Sequence, residues 1–326
     1  MTREESKDAL NLILTGIPSE AQIGAFMIAH RMKRPEPEEL AGMIDSYLEL
    51  GPKIYSNKTI KAPICFGMPF DGRDRTAPIY PITTLVLLSA EQPVILNGGQ
   101  RMPVKYGVTS KELFYSLKLN LKGLKINEVI SCIEENQFGF IYQPDHFKLA
   151  EKLIYYRKEI GKRPPIASME LLWNTFQGEN LFCSGFVHSP TEKRHQTTLK
   201  ILGKNNFILI KGLEGGVDLS TSKTNQIKIY QNDNCRELNL NARDFNINRK
   251  DENFLNIETW AMDAFSTLEY NGPLLNSLLF NSGFYLYATG NSDSIKSGIE
   301  YAKYLIINGK VKSVLKKLRS WRKRLN

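Results

Sequence analysis

Three short stretches combine glycine with basic or acidic side chains in a way that could hold phosphate. They are Phe66-Gly67-Met68-Pro69-Phe70-Asp71-Gly72-Arg73-Asp74-Arg75, the segment 97–107, and Lys211-Gly212-Leu213-Glu214-Gly215-Gly216-Val217-Asp218. Glycine lets backbone amides approach an anion, and arginine offers a planar fork that matches phosphate oxygens. On that chemistry Arg73, Arg75, Gly98, Gly99, Arg101 and Lys105 are the candidate phosphate-binding residues. One glycine-rich turn is an ordinary structural device. Three in one chain argue for a site.

Each of these loops follows an apolar run. Short runs at 62–66, 93–96, 138–142, 181–187, 207–211 and 226–230 alternate with helical patterns, which predicts a mostly parallel α/β sheet. Val94-Ile95-Leu96 and Phe207-Ile208-Leu209-Ile210 lack polar alternation, as strands covered on both faces do. Such sheets carry ligand loops at the carboxyl ends of their strands. Residues 1–60 instead read as helices: Lys7 to Leu14, then 21–32 after a Pro18-Ser19-Glu20 start with Ser19 as cap, then a third helix after Pro37. The expected fold is therefore α/β, a small all-helical domain followed by a larger α/β domain with a mostly parallel central sheet.

Composition sets outer limits. The 326 residues are 42% hydrophobic and 24% charged, the balance of a globular protein. The opening MTREESKDAL is too charged for a signal peptide, and the run Leu85-Val86-Leu87-Leu88 is far too short for a membrane span. A cytoplasmic, non-membrane location is expected. Cys65, Cys132, Cys183 and Cys235 lie far apart without a CxxC pair, so neither zinc nor a disulfide framework is indicated. His30, His146, His188 and His195 have no metal spacing either.

The formal net charge is +9, and it has one source. No acid follows Glu300, whereas nine bases do, and the rest of the chain carries bases and acids in equal number. The segment 310–326 has helical periodicity, with Val311, Val314, Leu315, Leu318, Trp321 and Leu325 in one sector. Lys310, Lys312, Lys316, Lys317, Arg319, Arg322, Lys323 and Arg324 occupy the rest and make a dense positive field. Such a run is usually a solvated helix face; with no acid to neutralise it, a polyanion such as nucleic acid is the alternative. Lys111, Arg101 and Lys105 could extend that patch.

The amino-terminal segment Thr15-Gly16-Ile17-Pro18-Ser19-Glu20-Ala21-Gln22-Ile23-Gly24-Ala25-Phe26-Met27-Ile28-Ala29-His30-Arg31-Met32-Lys33, followed by Pro37-Glu38-Glu39-Leu40-Ala41-Gly42, closely resembles the opening of anthranilate phosphoribosyltransferases of glycosyltransferase family 3. Gly139-Phe140-Ile141-Tyr142-Gln143-Pro144, Tyr156-Arg157-Lys158-Glu159-Ile160-Gly161 and Gly185-Phe186-Val187-His188 are similar to later motifs, in family order. The resemblance implies a helical domain at 1–60 completed by helices within about 145–180. It also implies an α/β domain at 61–144 and 181–309, with the basic helix at 310–326. The ligand cleft would lie between the domains, and a homodimer through the helical domain, with Phe26, Met27, Ile28 and Met32 available for contact, is expected.

The implied reaction moves a ribosyl phosphate from phosphoribosyl pyrophosphate to an aromatic amine with Mg²⁺. The three loops depart from it. The family's first loop reads G-T-G-G-D, whereas here Met68, Pro69 and Phe70 replace the open turn. The second reads K-H-G-N-R and becomes Asn97-Gly98-Gly99-Gln100-Arg101. The third keeps Asp218, but its acidic neighbour is Leu219, leaving Glu214 and Asp218 as the metal candidates. Arg157 matches the acceptor-side position, a surface ion pair with Glu159 or another acid being its plain alternative. Three readings stay open: a nucleic-acid-binding protein (DNA or RNA) without standard anthranilate activity; a glycosyl- or phosphoribosyltransferase (pentosyltransferase) that uses phosphoribosyl pyrophosphate or a related donor, with Mg²⁺, and another acceptor; and, least favoured by the altered loops, the standard anthranilate reaction.

Overall fold

The computed structural model describes residues 1–56, 60–232 and 234–325. In chain order its elements are α1 (Arg3–Thr15), α2 (Glu20–Lys33), α3 (Pro37–Leu50), β1 (Ile64–Gly67), α4 (Tyr80–Ser89), β2 (Val94–Gly98), α5 (Ser110–Ser116), α6 (Ile126–Asn136) and β3 (Phe138–Tyr142). Then come α7 (Gln143–His146), α8 (Lys148–Ile160), α9 (Ile166–Met169), β4 (Leu181–Gly185), α10 (Ser189–Ile201), β5 (Asn206–Ile210), β6 (Asn225–Gln231) and β7 (Asn234–Leu240). Four helices close the chain: α11 (Ile257–Thr267), α12 (Leu275–Ala288), α13 (Ile295–Ile307) and α14 (Lys310–Lys323).

Local chemistry sets the first three helices. Ser19 accepts the Gln22 amide at 3.3 Å while the Gln22 side chain accepts the Ser19 amide at 2.9 Å, so α2 begins with a capping box. Pro37 occupies the first turn of α3, where its missing N–H costs nothing. Gly42 lets α3 lie against α1, since a Cβ there would stand 2.1 Å from the Arg3 carbonyl oxygen. Glu39, at the start of α3, is buried against the terminal amine at 2.9 Å and Lys33 at 2.7 Å. Those contacts tie α1, α2 and α3 together, and α8 and α9 pack on the same group.

The sheet runs in the order β3-β2-β1-β4-β5-β6-β7. β1 to β5 pair in parallel, and β6 and β7 add an antiparallel hairpin at one edge. The six expected strands are present, within a few residues of their sequence-read limits. The seventh, β7, is an addition to the strands that the apolar runs predict. Its sequence NCRELNL is polar and mostly exposed, so it carries none of the apolar signal that marks a covered strand. Succession outward from β1 to β3 and then back across to β4 makes a topological switch beside β1, and the crevice at its carboxyl end is where the loops meet.

Helix α4 is buried on all sides and α12 nearly so, so the centre of the α/β layer is largely apolar, with Thr83, Thr84, Ser277, Asn281 and Ser282 buried among it. Two polar side chains of α12 reach the third loop: Asn281 exchanges hydrogen bonds with Leu219 at 2.8 and 3.2 Å, and Tyr285 donates to the Val217 carbonyl at 2.5 Å. Cys65, Cys132 and Cys183 are buried, Cys235 is exposed, and all four are free. His146 is fully used by the backbone: one ring nitrogen accepts the Tyr142 amide at 3.0 Å and the other donates to the Leu124 carbonyl at 2.8 Å. His195 has no hydrogen-bond partner among the described residues, and burial pushes its pKa down to about 3.

Among the described residues no helix is long and apolar enough to cross a membrane. Helix α14 docks through Val311, Leu315, Leu318 and Trp321, all buried against α4, α6 and α13. Leu325, expected in the same apolar sector, instead lies beyond the helix end and is 36% exposed.

Candidate functional site

The first and second loops cross one another beyond the sheet edge. Arg73 donates its amide to the Val108 carbonyl at 3.2 Å, Val108 returns the bond at 2.7 Å, and the Gly107 amide reaches the Asp71 carbonyl at 3.0 Å. Gly72 sits at φ 76°, and a Cβ on it would stand 2.5 Å from the Gly107 carbonyl. Its glycine character is spent on that crossing, with no open turn left for an anion.

Arg73 is buried at the meeting point. It forms an ion pair with Asp218 and a hydrogen bond to the Thr76 hydroxyl, and its Nε stands 3.7 Å from Glu214. Asp218 also accepts the Ile79 amide at 2.9 Å, while its other oxygen has no partner among the described residues. Glu214 accepts the amides of Thr76, Arg75 and Asp74 at 2.9, 3.2 and 3.3 Å, and the Thr76 hydroxyl at 2.9 Å. Burial alone would raise the Glu214 carboxyl; the Thr76 amide and Arg73 outweigh it and hold it near pKa 2. Burial pushes Asp218 upward, opposed by Arg73. Lys105 lies 3.7 Å from Glu214, and burial lowers its pKa against the pull of Asp71 and Glu214.

Apolar side chains fill what the acids and arginines leave. Met68, Phe70, Met102 and Trp173 are each no more than 3% exposed. A Cβ on Gly99 would stand 2.6 Å from the Met102 methyl and 3.5 Å from the Phe70 ring, and Phe70 packs on Trp173 with centroids 6.2 Å apart. Asn97 donates to the Trp173 carbonyl and accepts the Thr175 hydroxyl, both at 2.9 Å. The second loop is thus bonded to the chain's own backbone.

The remaining candidates disperse. Gly98 faces Phe140, whose ring would be 3.2 Å from an added Cβ. Arg101 points outward and pairs with Glu112 at 2.8 Å, and Arg75 is largely exposed, 3.7 Å from Glu214. Arg157 corrects its plain alternative: it pairs with Glu170 at 2.7 Å and touches the Met102 sulfur, and both partners of the ion pair are buried. Burial opposes and Glu170 reinforces its charge. Glu170, Thr76, Asp71 and Trp173 are the participants that sequence reasoning did not assign. Only Asp71 had a signal, its place inside a glycine-rich loop.

Magnesium would find few free ligands in this arrangement: of the four carboxylate oxygens of Glu214 and Asp218, one, on Asp218, has no partner among the described residues. Both Glu214 oxygens serve the 74–76 turn, and one Asp218 oxygen is shared by Arg73 and the Ile79 amide. No group of three acid, histidine or cysteine side chains among the described residues is disposed to hold a metal ion.

The basic tail is partly spent on the body. Lys317 donates to the Glu135 carbonyl at 2.8 Å, Arg319 to the Leu117 carbonyl at 2.7 and 3.0 Å, and Arg322 to the Asn120 and Lys122 carbonyls at 2.8 and 3.1 Å. Arg324 pairs with Glu135 at 3.2 Å and Lys312 with Glu269 at 3.6 Å. Lys310, Lys316 and Lys323 are exposed without an ion-pair partner among the described residues.

A helical bundle is thus set against an α/β layer whose loops converge at the carboxyl edge of a mostly parallel sheet. Residues 1–51 match the helical bundle domain of the glycosyl transferase family, and residues 77–312 match its a/b domain. The chain belongs to that family. Its relatives include an uncharacterized protein of Aquifex aeolicus, 26% identical over 92% of this chain and 91% of that one. An anthranilate phosphoribosyltransferase of Persephonella marina is 24% identical over 99% and 95%. In fold the chain is similar to anthranilate phosphoribosyltransferase from Thermus thermophilus, with TM-score 0.78 and 19% identity over 98% and 95% of the two chains. The Saccharomyces cerevisiae enzyme in complex with PRPP and Mg gives TM-score 0.82 and 13% identity over 98% and 93%.

Proposed function

We propose that this chain keeps the transferase fold without the standard anthranilate reaction and binds nucleic acid through phosphate contacts. One observation carries the first half: Arg73, Asp218 and Glu214 are buried against each other and against the 74–79 turn, where the donor would have to enter. Releasing them for phosphoribosyl pyrophosphate means breaking a buried ion pair and moving Met68, Phe70 and Met102. The second half rests on the unneutralised charge of +9 and on the outward Lys310, Lys316 and Lys323, with Lys312 held only by an exposed pair. No base-reading motif is visible, so the binding is sequence-independent. A homodimer through the helical domain goes with this reading; Ile28 and Met32 are exposed on α2, whereas Met27 is core.

The test is a fluorescence-anisotropy titration of labelled single- and double-stranded DNA across salt concentrations. It compares the full chain with a variant carrying Lys310→Gln, Lys312→Gln, Lys316→Gln and Lys323→Gln. With about 0.9 of slope per duplex phosphate contact, log affinity should fall with log salt at roughly −3 to −4, and the variant should lose most of that slope. Absence of binding, or equal binding by the variant, would remove the nucleic-acid assignment.

A second reading is favoured by the persistence of Arg73, Glu214 and Asp218 in one cluster at the crevice, in a family whose relatives are named as transferases. In it the loops open around phosphoribosyl pyrophosphate and Mg²⁺ and serve a different acceptor. It differs from the first in requiring turnover of the donor.

A further inference from the structure

A cavity of about 340 Å³ lies where the end of α2 meets the 161–165 turn, α9 and α10. Four arginines from three separate parts of the chain line it: Arg31 and Arg34, Arg163, and Arg194. No acid lines it. Arg31, Arg34 and Arg194 form no ion pair among the described residues, and the Nε of Arg163 is buried without a hydrogen-bond partner. Arg163 is already paired with Asp71 of the first loop, so the uncompensated charges are those of Arg31, Arg34 and Arg194, which repel one another less once an anion joins them.

Two details argue against a chance meeting of surface cations. Arg31 donates to the Arg163 carbonyl at 2.6 Å, which holds the α2 side of the cavity against the 161–165 turn. Arg34 is held at φ 66°, a backbone region that glycine occupies without strain and arginine does not. The dipole at the end of α2 favours cations there, which accounts for Arg31 and Lys33. It does not account for Arg163 and Arg194, which belong to other elements. Met32, Pro35, Pro164, Pro165 and Ser168 complete the wall; the prolines supply no amide donors, so recognition falls to the guanidinium forks with the Ser168 hydroxyl beside them.

We propose that this cavity is a binding site for a small polyanion of the phosphate-ester or pyrophosphate class, distinct from α14 and bordering the first loop through Arg163. Its volume is at the small end of ligand pockets, about 300–1,000 Å³ in general, and its charge suits a ligand carrying several phosphate oxygens. Arg163 also pairs with Asp71 of the first loop, so a bound anion competes with that carboxylate. The inference does not rest on the nucleic-acid reading.

Isothermal titration of the full chain with sodium pyrophosphate at fixed ionic strength, without divalent metal, tests it. One saturable site per chain is expected. Arg34→Ala with Arg194→Ala should weaken binding at least tenfold while circular dichroism stays unchanged, since neither side chain has an ion-pair partner among the described residues. Asp71→Asn should tighten it by freeing Arg163, and the four-lysine α14 variant should bind as the full chain does. No saturable heat, or equal binding by the Arg34/Arg194 variant, would overturn the proposal. So would a short oligonucleotide that depends on Arg34 and Arg194 when pyrophosphate does not bind, because the site would then belong to a polymer.

Discussion

Replacing Arg73 with alanine is expected to destabilise the fold by about 3–5 kcal/mol, the usual cost of leaving a buried carboxylate without its cation. Arg73 and Asp218 are each about 1% exposed, and Arg73 also holds the Thr76 hydroxyl that donates to Glu214. The substitution therefore strands one acid and loosens the turn that caps the other. Urea denaturation should show the midpoint falling with little change in slope. Arg73→Met combined with Asp218→Leu removes both charges and should recover much of the loss, because the pair is worth less than its halves are costly. An arginine kept waiting for a ligand behaves differently: its removal costs function and often leaves stability unchanged or improved.

Ending the chain after Asn308 is expected to have an effect of the same order as the whole stability of a domain. Val311, Leu315, Leu318 and Trp321 are buried, and each contributes roughly 1.5–3 kcal/mol, so the sum approaches a typical total of about 5–15 kcal/mol. The carbonyls of Leu117, Asn120 and Glu135 would also lose their donors. Thermal melting should show a truncated protein that unfolds far lower or does not stay soluble. Loss of DNA binding by such a protein says nothing about phosphate contacts, and lysine-to-glutamine variants on the exposed face of α14 are the informative comparison. A truncated chain that melts like the full one would mean that α14 is an appendage and its apolar face contributes nothing.

The sequence carried the strands of the parallel core because burial on both faces demands unbroken apolar runs such as Val94-Ile95-Leu96. It could not show β7, whose edge position leaves its residues free to be polar. Glycine and arginine in the three loops were visible as types, but their partners were not. Gly72 and Gly107 look like phosphate-loop glycines and instead permit two backbones to cross. Arg157 looks like an acceptor contact or a surface residue, and its buried partner Glu170, thirteen positions on, belongs to no local pattern. The tail's charge was legible by counting. That Lys317, Arg319 and Arg322 turn their donors toward carbonyls of the body depends on where α14 docks, which periodicity on one helix does not specify.

On the proposed reading, the chain's own ion pairs and apolar side chains occupy the place of the phosphoribosyl donor. Pyrophosphate release from phosphoribosyl pyrophosphate, with Mg²⁺ and anthranilate present and the protein near stoichiometric with substrate, tests it most directly. The expected result is release no faster than in the absence of protein. Protein-dependent release that Asp218→Asn abolishes would contradict the claim and make the three loops those of a working transferase.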